Sequence, residues 1–142
     1  MKLAASRKTV SLSEQRRNSL QLERRSASAL RDLYPSVGHL QVSLIFEDGS
    51  ALTPSPQSHT FYPAAQAFFR FACPCAECDG DFDLREVIGV VLADMARSQR
   101  HAARNARGRL SCQGVRLRDR VGSRPCAMTL EYQITAGPIR PQ

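Results

Sequence analysis

Five cysteines constrain this chain more than any other feature. Three fall within six residues, Cys73-Pro74-Cys75-Ala76-Glu77-Cys78, with Asp79-Gly80 directly behind them, and two stand apart at Cys112 and Cys126. The only apolar run near the N-terminus, Leu3-Ala4-Ala5, is cut by Ser6-Arg7-Lys8, so there is no secretory h-region and the expected compartment is cytoplasmic. An odd number of thiols held reduced there argues against a disulfide framework and for a metal site or plain buried thiols. No apolar stretch approaches 18 residues, which removes the membrane as a partner expected from the sequence.

Cys75-Ala76-Glu77-Cys78-Asp79-Gly80 has the spacing of a zinc knuckle. Two thiolates three residues apart can share one tetrahedral ion, and the following Gly lets the backbone turn so that its N–H groups face sulfur. Cys73 with Cys78 is the competing chelate. The other half of a site follows from hairpin geometry: if the strands around Cys112 and Cys126 pair about a loop centred near Asp119, Cys112 lies opposite Cys126 and Leu110 opposite Met128, with Cβ atoms about 4.5–5.5 Å apart. Cys112 is followed by Gly114, so Cys-x-Gly occurs in both halves. In this respect the chain resembles a zinc ribbon, over residues 73–80 and 112–126, although its second pair of thiols is separated by thirteen residues rather than two. The resemblance implies structural zinc held by cysteine turns. A tetrahedral ion takes four of the five thiols, and the expected set is Cys75, Cys78, Cys112 and Cys126, with Cys73 as first substitute. The alternatives are buried apolar thiols or a cross-strand disulfide, an iron-sulfur site, and a thiol redox centre of Cys73, Cys75 and Cys78. The last needs an exposed thiolate of low pKa, and its CxxC motif normally precedes a helix in a βαβ unit, which the order of elements here does not provide.

That order is read from periodicity. Ser11-Leu12-Ser13-Glu14 has capping-box spacing and opens a helix expected to run to Leu33, where Tyr34-Pro35 stops it; its leucines form no clean stripe, so it is expected to pack loosely. Leu40–Phe46 alternates and reads as a strand, Thr53–Ser58 as a proline-interrupted polar loop, and Ala67–Ala72 as a second, buried strand. Asp83 caps a helix expected to reach about His101, with Leu84, Val87, Ile88, Val91, Leu92 and Met95 at i, i+3, i+4, i+7, i+8 and i+11. Arg109–Gly114 and Pro125–Thr135 read as a hairpin around a basic loop, and 137–142 as a tail. The expected fold is α+β: an antiparallel sheet of about four strands covered by one helix, with residues 1–35 an N-terminal segment and accessory helix, 36–136 the zinc-binding domain and 137–142 the tail.

Net charge is +7, and it is uneven. Arg97, Arg100, Arg104, Arg107, Arg109, Arg116, Arg118, Arg120 and Arg124 stand against Asp119 alone, giving +8 over thirty residues, while the rest of the chain sums to −1. Charge gathered on a helix end and a hairpin loop is the footprint expected of phosphate contact with nucleic acid or another polyanion. Only two lysines accompany eighteen arginines, so an arginine-biased composition also accounts for part of the block. Asp79, Asp81 and Asp83 lack the later bidentate acid of a calcium loop, the three histidines form no ligand pattern, and neither a GxSxG elbow nor a phosphate-binding glycine loop is present. The aromatic residues read as core rather than as base-stacking platforms. The sequence therefore points to a non-enzymatic, zinc-stabilised binding domain with a basic face, with two alternatives: a protein-binding adaptor using its N-terminal helix, and a thiol redox protein.

Overall fold

The structure is a computed structural model, and residues 10–48, 55–97, 103–118 and 122–139 are described, the side chain of Arg118 excepted. It is a mixed α/β fold. Strands β1 (Val37–Asp48), β2 (Ser55–Phe61), β5 (Arg104–Ser111) and β8 (Met128–Pro138) form one antiparallel sheet in the order β2-β1-β8-β5. Alternation builds its core: Leu40, Val42, Leu44 and Phe46 of β1 and Leu130, Ile134 and Ala136 of β8 are buried on one face, while Gln41, Ile45, Glu47 and Gln133 remain exposed on the other. Helix α3 (Arg85–Arg97) covers the apolar face. Leu84, Ile88, Val91, Leu92 and Met95 are all buried, and Val87 packs against the same core, as the periodicity requires. Each such burial contributes about 2 kcal/mol. Asp83 accepts from the Arg85 backbone N–H at 3.0 Å, which satisfies one free donor of the first turn. The expected extension of this helix to His101 falls outside the described residues.

Two further two-stranded ribbons complete the described strands. Strands β3 (Arg70–Ala72) and β4 (Asp81–Asp83) form the first, with residues 73–80 as its loop. Strands β6 (Val115–Arg118) and β7 (Gly122–Pro125) form the second, which continues the β5–β8 pair. Pairing runs from Arg104↔Ala136 to Ser111↔Thr129 and resumes in the same register from Val115↔Pro125 to Arg118↔Gly122, so among the described residues 104–118 and 122–136 form one antiparallel pair, interrupted at Cys112–Gly114 and Cys126–Ala127.

Several expectations are corrected. The N-terminal helix does not run to Leu33: α1 spans Leu12–Arg25, and a separate turn, α2, covers Leu30–Leu33. The break falls at residues 26–28: the Ser26 and Ala27 N–H groups close the last turn on the Glu23 and Arg24 carbonyls, the Ser28 carbonyl accepts from Ala67 at 2.8 Å, and Leu30 is buried in the core. Nor does α1 pack loosely. Its Ser11 cap accepts from Glu14 N–H at 3.1 Å, Ser13 is buried, and Arg16 reaches Asp81 at 2.5 Å. The polar segment at 55–58 is strand rather than loop, because an edge strand tolerates Pro56 and polar residues on both faces. Of the strand expected at Ala67–Ala72 only Arg70–Ala72 is strand, and Gly137 and Pro138 belong to β8, where Gly137 pairs with His39 and Pro138 with Val37.

Candidate metal centre

The 73–80 loop turns back on itself: Cys73 N–H donates to the Gly80 carbonyl at 3.0 Å, and Cys78 N–H to the Cys75 carbonyl at 3.0 Å. The turn sets Cys73 and Cys78 at the inner corners of the loop and leaves Cys75 half-buried outside them. The second hairpin supplies Cys112 and Cys126 at the point where β5–β8 gives way to β6–β7. Their register differs from the expected one by two residues. Leu110 faces Leu130 rather than Met128, Cys112 N–H donates to the Met128 carbonyl at 2.9 Å, and Cys126 N–H donates to Gly114 at 3.1 Å. A two-residue shift keeps both side chains on one face, so the thiols still converge as diagonal neighbours.

Cys73, Cys78, Cys112 and Cys126 are all buried, and their four Sγ atoms lie within 4.8 Å of one another. Cys73 and Cys126 are 3.8 Å apart, Cys78 and Cys112 3.6 Å, and all five cysteines are free. With metal–sulfur bonds of about 2.3 Å, the edge of a tetrahedral tetrathiolate site is about 3.8 Å. The spacing and the all-sulfur donor set fit a single metal ion. Cys73 therefore takes the place that the knuckle spacing gave to Cys75.

The glycines of the two Cys-x-Gly turns have a packing reason. Gly80 N–H points at Cys78 Sγ at 3.2 Å and Gly114 N–H at Cys112 Sγ at 3.3 Å, an equivalent i→i+2 contact in both halves. The turns also touch: a Cβ on Gly80 would stand 2.8 Å from Gly114 Cα, and one on Gly114 would stand 2.6 Å from Gly80 Cα. Only residues without a side chain let the two half-sites close.

Arg116 completes the surroundings. It is 3% exposed, its Nε–H donates to Cys126 Sγ at 3.3 Å, and a terminal nitrogen holds Asp48 at 2.9 Å. Burial alone would lower its pKa, yet the bonds to Cys126 and Asp48 outweigh that and raise it, so it stays charged beside the sulfurs. Cys78 forms an isolated bridge with Arg116, Leu117 N–H donates to the Glu77 carbonyl at 3.0 Å, and Val115 N–H donates to Asp79 at 3.0 Å, so β6 is tied to the knuckle by backbone as well. From the third side, the Ser13 hydroxyl of α1 donates to the Cys73 carbonyl at 2.6 Å. The thiols themselves are unequal. The neighbouring thiols, Cys73 foremost, and the Gly114 amide bring Cys112 down to about 5, whereas burial pushes Cys78 up to about 12. The cluster suits thiol exchange poorly, because all four of its cysteines are buried.

The six arginines of the basic block whose side chains are described do not all face solvent. Arg116 is spent on Cys126 and Asp48, Arg97 pairs with Asp94 and Arg109 with Glu131. Arg104, Arg107 and Arg124 are exposed. Arg100 and Arg120 lie outside the described residues, as does the side chain of Arg118. Sequence reasoning assigned Arg116 to the wrong environment and missed Ser13 and Asp48. The available signal was parity: position 116 shares the face of Cys112 and Gly114, and the flanking Val115 and Leu117 are the ones left exposed, at 36% and 50%. Among the described residues no helix is long and apolar enough to cross a membrane. No protein-family model matches the chain, and neither the curated proteins nor the solved structures contain a match to it.

Proposed function

We propose that the chain is a non-enzymatic binding domain held together by one structural zinc ion on Cys73, Cys78, Cys112 and Cys126, a site of zinc-ribbon kind. The observation that carries this reading is the convergence of four buried sulfurs, paired at 3.6 and 3.8 Å, from two hairpins far apart in sequence. Zinc suits the set because it takes four thiolates tetrahedrally without a geometric preference of its own, and four thiolates leave no position for a reactive water. Reduced thiols suit a cytoplasmic setting. Counting metals in the purified protein tests it: one zinc per chain is the expected result, and iron with inorganic sulfide, or no metal in protein purified without chelator, overturns it.

A second reading, contact with nucleic acid or another polyanion, keeps support from Arg104 and Arg107 on the edge strand β5 and from Arg124 on β7, all exposed. Titration of labelled oligonucleotides at two salt concentrations checks it. Affinity that falls steeply with salt and flattens in Arg104→Gln/Arg107→Gln/Arg124→Gln supports the reading.

A further inference from the structure

A groove of about 640 Å³ runs between α1, the free edge of β2 and the segment that carries β3. One wall is made by five consecutive residues, Gln57 to Phe61. Successive side chains of a strand point to opposite faces, so five in a row line a groove only along the strand's edge. β2 ends the sheet and pairs with β1 alone, which leaves its outward N–H and C=O groups as a template for another strand. The facing wall is one side of α1, where Ser13, Arg17, Gln21 and Arg24 recur at helical spacing. The walls are comparable in length: the four steps from Gln57 to Phe61 span about 13 Å and the eleven from Ser13 to Arg24 about 17 Å.

The chemistry of the groove is selective. Phe68 and Phe71 give it apolar surface, with the His59 ring against Phe71 at 4.8 Å between centroids. Among the described residues no acidic side chain lines it. Arg17 and Arg24 have no acidic partner among the described residues, and Arg70 is engaged by Asp81 and Glu23. The chain's own residues 1–9 carry Lys2, Arg7 and Lys8 and no acid, so they are a poor occupant by charge.

We infer that this groove takes an extended acidic peptide segment of a partner protein, added as a strand to the edge of β2. Main-chain bonds to β2 would hold it in register, and its carboxylates would meet Arg17 and Arg24 across the groove. An extended residue within packed sheets fills about 160 Å³, from about 3.3 Å of rise, 4.8 Å between strands and 10 Å between sheets. The cavity therefore seats about four residues. A strand matches the alternating donors and acceptors of the β2 edge, which a sugar-phosphate backbone, rich in acceptors only, does not. The inference rests on the reading of the chain as a binding domain and not on the identity of its ion.

The zinc-loaded protein is screened against bead-displayed octapeptides with Glu or Asp fixed at alternate positions and the rest randomised, beside the same library with Lys fixed. Binders should come from the acidic library, and Arg17→Glu/Arg24→Glu should weaken the best of them at least tenfold while keeping full metal content and melting temperature. N-methylation of the bound peptide at alternate amides should abolish binding in one phase and spare it in the other. Equal selection from both libraries, no selection at all, or indifference to the methylation phase overturns the inference. Tighter binding of a fluorescent dT10 oligonucleotide at the same arginines overturns it in favour of nucleic acid. Metal content measured on the same samples separates failure of the groove from failure of the metal reading.

Discussion

Arg116 is the residue whose environment departs most from its type. A guanidinium that is 3% exposed costs free energy unless it is paired, and here Asp48 and Cys126 share that task. Removing it takes one buried charge partner from Asp48 and an N–H donor from Cys126. Arg116→Met is expected to cost about 3 kcal/mol in urea unfolding and to speed transfer of the proposed zinc to a chelator, whereas a surface change such as Arg124→Met should fall within about 0.5 kcal/mol of wild type. The fifth thiol gives a sharper contrast. Cys75 lies outside the sulfur cluster, so Cys75→Ser should retain one metal per chain and Cys73→Ser should lose it, which a metal count on both variants decides. Gly80→Ala and Gly114→Ala would each place a methyl under 3 Å from the facing backbone. Overpacking of this kind costs about 1–3 kcal/mol, and thermal melts should show it for both.

At the level of elements, α1 belongs to the site as much as to the N-terminus. Three anchors hold it: the buried Ser13 hydroxyl on Cys73, Arg16 on Asp81, and Glu23 on Arg70, which itself grips Asp81. Burial alone would push the Asp81 carboxyl up, but Arg70 and Arg16 together hold it below the ordinary carboxylate range. Its contribution is therefore present at neutral pH and is lost as pH falls through its lowered folded-state value. At pH 7, Asp81→Asn should accelerate amide exchange along Leu12–Arg25 and leave α3 unchanged, since α3 is held by its apolar stripe. Equal protection of α1 in wild type and variant would show that the ion pairs do not hold the helix.

For the molecule as a whole, the sulfur cluster and the hydrophobic core divide the work. Leu40, Val42, Leu44, Leu130, Ile134 and the α3 stripe form a core that does not need an ion, whereas the β3–β4 and β6–β7 ribbons meet through sulfur and a few backbone bonds. A ligand present at a thousand times its dissociation constant adds about 4 kcal/mol. Chelation should therefore lower the melting temperature, open the amides of β6 and β7 to exchange, and leave β1 and β8 protected. An unchanged melting curve after verified metal removal would mean that the cluster is ordinary packing.

Short-range patterns in the sequence determined much of this. The period-3.6 stripe of α3, the period-two alternation of β1 and β8, the Ser11 cap and the two Cys-x-Gly turns are all legible because each depends on neighbours a few residues away. The choice of Cys73 over Cys75, the burial of Arg116 and the strand at Ser55–Phe61 were not legible. Cys73 is chosen because the β3–β4 ribbon brings it against Gly80. Arg116 is buried because Asp48, sixty-eight residues earlier, ends β1 beside it. β2 forms because β1 offers an unpaired edge, which compensates for a segment with little strand propensity of its own. In each case the deciding partner is distant in the chain, and only the tertiary structure brings it close.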